Sequence, residues 1–498
     1  MDVNIFLLLV LVAKVSTENE TWASNVENFF KDQTNKVNEF FEDQKRSFEA
    51  TVNSSYEEAV RVHNTVNNYL EEQKKIINDE VNAYVEGVKE TGREITDTWS
   101  YVPDSVQKSV NGVISDALLS IPAIIARNGY ICETHTVVSR GYFLNIHRIP
   151  RTKHGSEVPS KTVFLQHGIF GSSADWIING PHKGLGYVLA DAGYDVWMAN
   201  IRGNKYSREH SWWGIDSKEY WNFSWHDVAL YDVPAIIDYI NKVKNGDARI
   251  SYIGHSMGTT ILFAMLSLRP EYNNILYSAI ALAPVVFTSD VNSSLTSLAP
   301  IASNVAYMEM MYGAHEFIPK DSFLGSLPKA CDVAHVDKFI CNHIIFKICG
   351  YDEAQMNSTI LPVFLAHLGT GTSWKTAVHF AQEIVAGGKF QQFDYGSYYN
   401  EKVYGAETPP EYDLSKITLP ITLFWAENDL LSREKDVRKL REKLPSTTQM
   451  YLVPYPEFNH IDYIWANDAQ TLVNEKVLST LKSTFENERK VLKFKFGF

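Results

Sequence analysis

No proline precedes Pro103 in this chain of 498 residues. A long stretch without proline can run as helix, because no backbone donor is missing and no ring clashes with the preceding turn. Cysteine is scarce as well, with four in the whole chain, which excludes a disulfide scaffold. Basic residues are in deficit: 46 Lys and Arg face 59 Asp and Glu, for a net charge of -13. That balance excludes the basic footprint of a nucleic-acid binder and a strong pull toward anionic lipid. Any lipid contact would be mainly apolar. No segment after the N-terminus reads as a transmembrane helix, which needs about 20 apolar residues.

What is present is a globular composition, with 45% hydrophobic and 21% charged residues. The length predicts more than one domain. Ile5–Ala13 is a short apolar run that fits the h-region of a secretory signal peptide, assigned to residues 1–17. Five N-x-S/T sequons, at Asn19, Asn53, Asn222, Asn292 and Asn357, agree with passage through a glycosylating compartment. Secretion is therefore expected, with lysosomal delivery left open. Cys331 and Cys341 lie close enough in sequence to bridge there. Cys132 and Cys349 are read as small buried thiols.

The region before Pro103 repeats. VENFFKDQTNK begins at Val26 and VNEFFEDQKRS at Val37, and further units start at Phe48, Ala59, Leu70 and Val81. Apolar residues fall at the first, fourth, fifth and eighth positions, as in Val26, Phe29 and Phe30, so they share one helix face. A period of 11 residues is close to three whole turns, and the stripe drifts slowly around the helix. Such a stripe needs a cover. The candidates are a lipid particle, a second helix through self-association, and the remainder of the chain.

After Pro103 short β-branched runs alternate with helical stretches. Thr162–Leu165, Val196–Met198, Ser251–Ile253, Ile421–Trp425 and Gln449–Val453 read as strands. That alternation predicts a parallel sheet covered on both faces, an α/β class.

Within it, Gly254-His255-Ser256-Met257-Gly258 follows a β-rich run and opens a helix-forming one. This is the strand–turn–helix setting of a nucleophile elbow, and the turn is so tight that both flanking residues must be glycine. Ser256 is thus the candidate nucleophile. A serine hydroxyl needs a base to take its proton. In this arrangement the chain order is serine, acid, histidine. His460, in PEFNHIDYIWA, follows the strand ending near Val453, and Asp429, in WAENDLLS, follows the strand before it. Glu427 and Asp462 are the rival acids. The oxyanion donors are assigned to the backbone N–H groups of Met257 and of Ile169, the latter in the Gly168 loop after TVFL. His167 is read as structural. No cofactor is called for, and no zinc-type spacing occurs.

Several longer stretches resemble the acid lipase family, which includes gastric and lysosomal acid lipases and many insect lipases. LSIPAIIARNGYICETHTVVSRGYFLNIHRIP resembles its opening segment and FLQHGIFGSSADWI its oxyanion loop. LADAGYDVWMANIRGNKYSREH, FSWHDVALYDVPAIIDYI, ENDLLS and NHIDYIWA follow in the family's order. The similarity runs from about Leu118 to Glu488. It implies an α/β-hydrolase fold with a helical cap or lid, preceded here by a long amphipathic α-helical region. The expected divisions are 1–17 signal peptide, 18–115 repeat region, 116–290 first part of the core, 291–403 cap, and 404–498 second part of the core. The implied activity is hydrolysis of neutral lipid esters at a lipid–water interface. The alternative is a lipid-binding or storage protein on the same scaffold. Cys331, Cys341 and Cys349 resemble the family's cysteine cluster. Two features depart from it: Met257 stands where glutamine is usual, which implies altered rate or preference, and the N-terminal repeat is extra.

Overall fold

The computed structural model describes residues 119–484, except 156, 247 and several stretches between 294 and 370, of which 306–314 and 318–344 are the longest. All of them belong to one of two compact units, the one formed by 111–325 and 341–498. The signal segment, the 11-residue repeat, Asn19, Asn53, Cys331 and Cys341 lie outside the described residues.

The chain enters through α1 (Ile121–Arg127), whose Ile121, Ile124 and Ile125 are buried, and continues into β1 (Glu133–Ser139) and β2 (Tyr142–Ile149). Arg140 and Gly141 both take positive φ, 51° and 93°. Two such residues make the tight turn whose twist suits an antiparallel hairpin, and β1 pairs with β2 from Ser139–Tyr142 to Glu133–Arg148. Next come β3 (Lys161–Gln166), α2 (Leu185–Asp191), β4 (Asp195–Met198), β5 (Glu209–His210) and α3 (Val233–Val243). In α3 the residues Val233, Ile236, Ile237 and Ile240 are buried, one face at helical spacing. The elbow strand β6 (Arg249–His255) and helix α4 (Met257–Leu268) follow, then β7 (Leu276–Leu282) and two short strands, β8 (Glu316–Phe317) and β9 (Thr372–Ser373). The chain closes through α5 (Trp374–Val385), α6 (Ser397–Tyr404), β10 (Ile421–Trp425), α7 (Glu434–Lys443) and β11 (Gln449–Leu452).

The main sheet runs β1-β2-β4-β3-β6-β7-β10-β11, and β5 pairs with Tyr142 and Phe143 at the start of β2. From β4 to β11 every pairing is parallel. β1, β2 and β5 are antiparallel additions, so the sheet is mixed and not wholly parallel as expected. The reason is local, because a two-residue hairpin can only return the chain antiparallel. The central strands are buried along almost their whole length. Helix α4 is buried from Met257 to Ser267, as a helix that is apolar all round must be. Parallel order places the C-terminal ends of β3, β6, β10 and β11 on one edge. That edge is where open α/β sheets hold their sites.

Candidate active site

β6 delivers His255 to the sheet edge, and Ser256 then breaks the strand with φ 52° and ψ -121° before α4 begins. A non-glycine residue with this backbone is strained by about 1–3 kcal/mol, and such strain persists only when packing enforces it. Here the enforcement is visible. A Cβ on Gly254 would lie 2.7 Å from the Gly258 carbonyl, and one on Gly258 would overlap the Gln166 oxygen of β3. The glycines serve close approach. Ser256 N–H donates to Leu282 O at 3.1 Å, which ties the turn to β7.

Three side chains from three loops meet at this edge. His460 Nε2 lies 2.8 Å from Ser256 Oγ, and His460 Nδ1 lies 3.0 and 2.9 Å from the two oxygens of Asp429. With Nδ1–H donating to the carboxylate, Nε2 is left to accept the serine proton. Asp429 is fully buried, and its Oδ1 also accepts from Leu431 N at 2.9 Å and Ser432 N at 2.7 Å. Of the rival acids, Glu427 is exposed. Asp462 is buried, but its oxygens accept from Asn459 N and Trp465 Nε1, both at 2.7 Å. Burial, first of all, holds the Asp462 carboxyl well above its ordinary range.

Of the two N–H groups assigned to the oxyanion, one belongs to the residue after this serine and the other to the residue after Gly168. Met257 opens α4, where a backbone N–H has no partner within the helix. A Cβ on Gly168 would lie 3.1 Å from Ser256 Cβ, so the loop carrying Ile169 runs against Ser256. Among the described residues neither N–H is paired with an acceptor. His167 Nδ1–H donates to Gly168 O at 2.7 Å while Nε2 accepts from Ile201 N at 3.3 Å. Burial lowers its pKa to about 4, which keeps the ring neutral and the loop fixed.

Asp175 holds the far end of the same loop. It forms a capping box with Ser172, and a Cβ on Gly171 would overlap its Oδ2. Burial raises its carboxyl from 3.8 to about 7. The folded chain thus binds this proton more tightly than the unfolded one. The stabilisation is complete below about pH 4 and lost as pH rises through about 7. Asp175→Asn cannot ionise. Its Tm difference between pH 5 and pH 8 should be smaller than that of the wild type, and an unchanged difference would remove Asp175 from the account.

Sequence reasoning missed the residues that join the acid and histidine loops. The carbonyl of Cys349 accepts from Leu430 N at 3.3 Å and from His460 N at 3.2 Å. Gly350 O accepts from Asn459 Nδ2 at 2.9 Å. Gly350 sits at φ 114°, and a Cβ there would overlap Asn428 O. His255 adds a third tie, its Nε2 donating to His460 O at 2.8 Å. The only signal in the sequence was a glycine beside a cysteine. Gly350→Ala should lower kcat about 10²-fold with KM little changed, since a misplacement of about 1 Å costs that much. Asn459→Ala should act in the same direction. A rise in KM at constant kcat in both would show that the segment serves substrate binding instead.

The remaining candidates are placed as follows. Asn222 and Asn292 are exposed, and Asn357 is half-buried with its Nδ2 donating to Asn179 Oδ1 at 3.1 Å. Cys349 is a buried thiol, and Cys132 is half-buried where full burial was expected. Among the described residues no helix is long and apolar enough to cross a membrane.

Residues 161–467 match the family model of the alpha/beta hydrolase fold, and 121–180 match that of a partial alpha/beta-hydrolase lipase region. The chain is 40% identical over 363 residues to Lipase 3 of Drosophila melanogaster, covering 72% of this chain and 92% of that one. It is 38% identical over 373 residues to gastric triacylglycerol lipase of Rattus norvegicus, covering 74% and 92%. To lysosomal acid lipase/cholesteryl ester hydrolase of Macaca fascicularis it is 32% identical over 391 residues, covering 77% and 96%.

Proposed function

Because the chain belongs to the α/β-hydrolase lipases that include the gastric and lysosomal acid lipases, a family of carboxylic ester hydrolases, we propose that it cleaves triacylglycerol or steryl ester through an acyl-enzyme on Ser256. The observation that carries the mechanism is the continuous chain from Ser256 Oγ through His460 to the buried Asp429.

His460 takes the Ser256 proton as Oγ attacks the ester carbonyl. The oxyanion is held by the N–H groups of Ile169 and Met257, each worth roughly 2.7–4 kcal/mol in the transition state. His460 then protonates the departing alcohol. Water repeats the sequence and releases the acid. Asp429 keeps His460 in the tautomer that accepts at Nε2. The proposed cap, 291–403, reaches the oxyanion loop where Phe317 stacks on Phe170 with ring centroids 6.1 Å apart. Arg208 holds Glu316 beside it at 2.7 and 2.9 Å. We assign the chain to the secretory route on the strength of residues 1–17 and the sequons.

The test is turnover by protein collected from the medium of secreting cells. Emulsified triolein, emulsified cholesteryl oleate and soluble p-nitrophenyl butyrate are compared across acidic to neutral pH. Cleavage of an emulsified lipid is expected. Cleavage of the soluble ester alone would make the chain an esterase without a lipid substrate. No cleavage of any of them would favour a lipid-binding role.

A further inference from the structure

A groove of about 990 Å³ lies apart from Ser256, and Asn222, Lys375, Phe393, Tyr395 and Tyr399 are among the residues that line it. We propose that Asn222 carries an N-linked glycan whose first sugars sit in this groove; the proposal rests on the secretory reading above.

The backbone fixes where Asn222 points. Trp221 and Phe223 on either side are almost fully buried in the main core, and Ser224, the third sequon residue, caps the following turn. Asn222 between them is exposed. Its amide is also oriented. Lys375 Nζ, on a side chain that is itself buried, lies 3.2 Å from Asn222 Oδ1 and 3.2 Å from the Tyr395 hydroxyl. An ammonium group has only donors, so the atom facing it must be the amide oxygen. Nδ2 is therefore turned away from Lys375. Among the described residues it has no acceptor, and it is the atom that glycosylation uses.

The chemistry balances with a lipid-linked oligosaccharide as donor. Asn222 Nδ2 forms a bond to the sugar C1, the bond from C1 to the pyrophosphate oxygen breaks, and one amide proton is released. The product keeps Oδ1, so the bond from Lys375 survives. Lys375 lies 4.9 Å from the Phe393 ring centre and 4.8 Å from that of Tyr395, so the cation, the amide and the rings form one fixed wall. Tyr399 is 59% exposed on the same groove. Aromatic faces of this kind suit the C–H face of a pyranose ring.

The experiment uses the full chain secreted from insect cells, with glycopeptide mapping by mass spectrometry. Asn222 should be occupied, and Asn222→Gln should lose one glycan. Release of the Asn222 glycan by an endoglycosidase should be about fivefold slower from native than from denatured protein, with Tyr399→Ala removing part of that protection. A bare Asn222 beside an occupied sequon elsewhere in the same secreted protein overturns the site. Equal release from native and denatured protein overturns the seating in the groove. A chain retained in the cell with every sequon bare overturns the secretory reading and this proposal together.

Discussion

Ser256→Ala should lower kcat about 10⁶-fold on emulsified triolein and on p-nitrophenyl butyrate alike, because a serine triad acts as a unit and loses nearly all its power with its nucleophile. The fold should be spared. Alanine pays the same cost as serine at φ 52°, and the tie from the residue-256 N–H to Leu282 O is a backbone bond. Only the contact from Oγ to His460 disappears, at an edge where His460 stays anchored through its own backbone to Cys349 and His255. An unchanged Tm with abolished turnover is the expected pair of results. Lipid binding should persist, since Oγ serves the bond change and not the fit of the acyl chain. Retained turnover on either ester would mean another nucleophile, and the elbow would then be a structural turn.

The parts of this site that could be read in the sequence are those in which chemistry and local backbone coincide. A glycine-flanked serine between a strand and a helix carries its own context, and an acid and a histidine each just past an apolar run do so through chain order. The central strands β3, β4, β6 and β10 were legible because burial on both faces makes them largely apolar runs. β1 was not, since ETHTVVS is an edge strand with an exposed face and an alternation any loop could show. β7 was not either, because Ser278, Ala279 and Ala281 are poor strand formers that pack there only because neighbours press close. The joining segment at Cys349 and Gly350 was least legible of all. Its partners lie far along the chain at Leu430, Asn459 and His460. Contacts between segments so distant leave no periodicity to detect.

Asp429→Asn should lower kcat about 10⁴-fold near neutral pH while leaving the fold intact. The reason lies in the partners of each oxygen. Oδ1 accepts from the N–H groups of Leu431 and Ser432 as well as facing His460. An asparagine must keep its oxygen on those two donors, which turns its amide nitrogen toward His460 Nδ1. Two donors cannot face each other, so Nδ1 becomes an acceptor and the ring proton moves to Nε2. His460 then presents a proton to Ser256 and cannot receive one. The stability cost should be small, because the two backbone N–H groups keep their acceptor. Glu427→Gln serves as the control, because that side chain is exposed and should change kcat little. If Asp429→Asn cost less than about tenfold, the orienting role would have to lie elsewhere. Asp462 would be the remaining acid, and its bonds to Asn459 and Trp465 would need to be broken before it could reach His460.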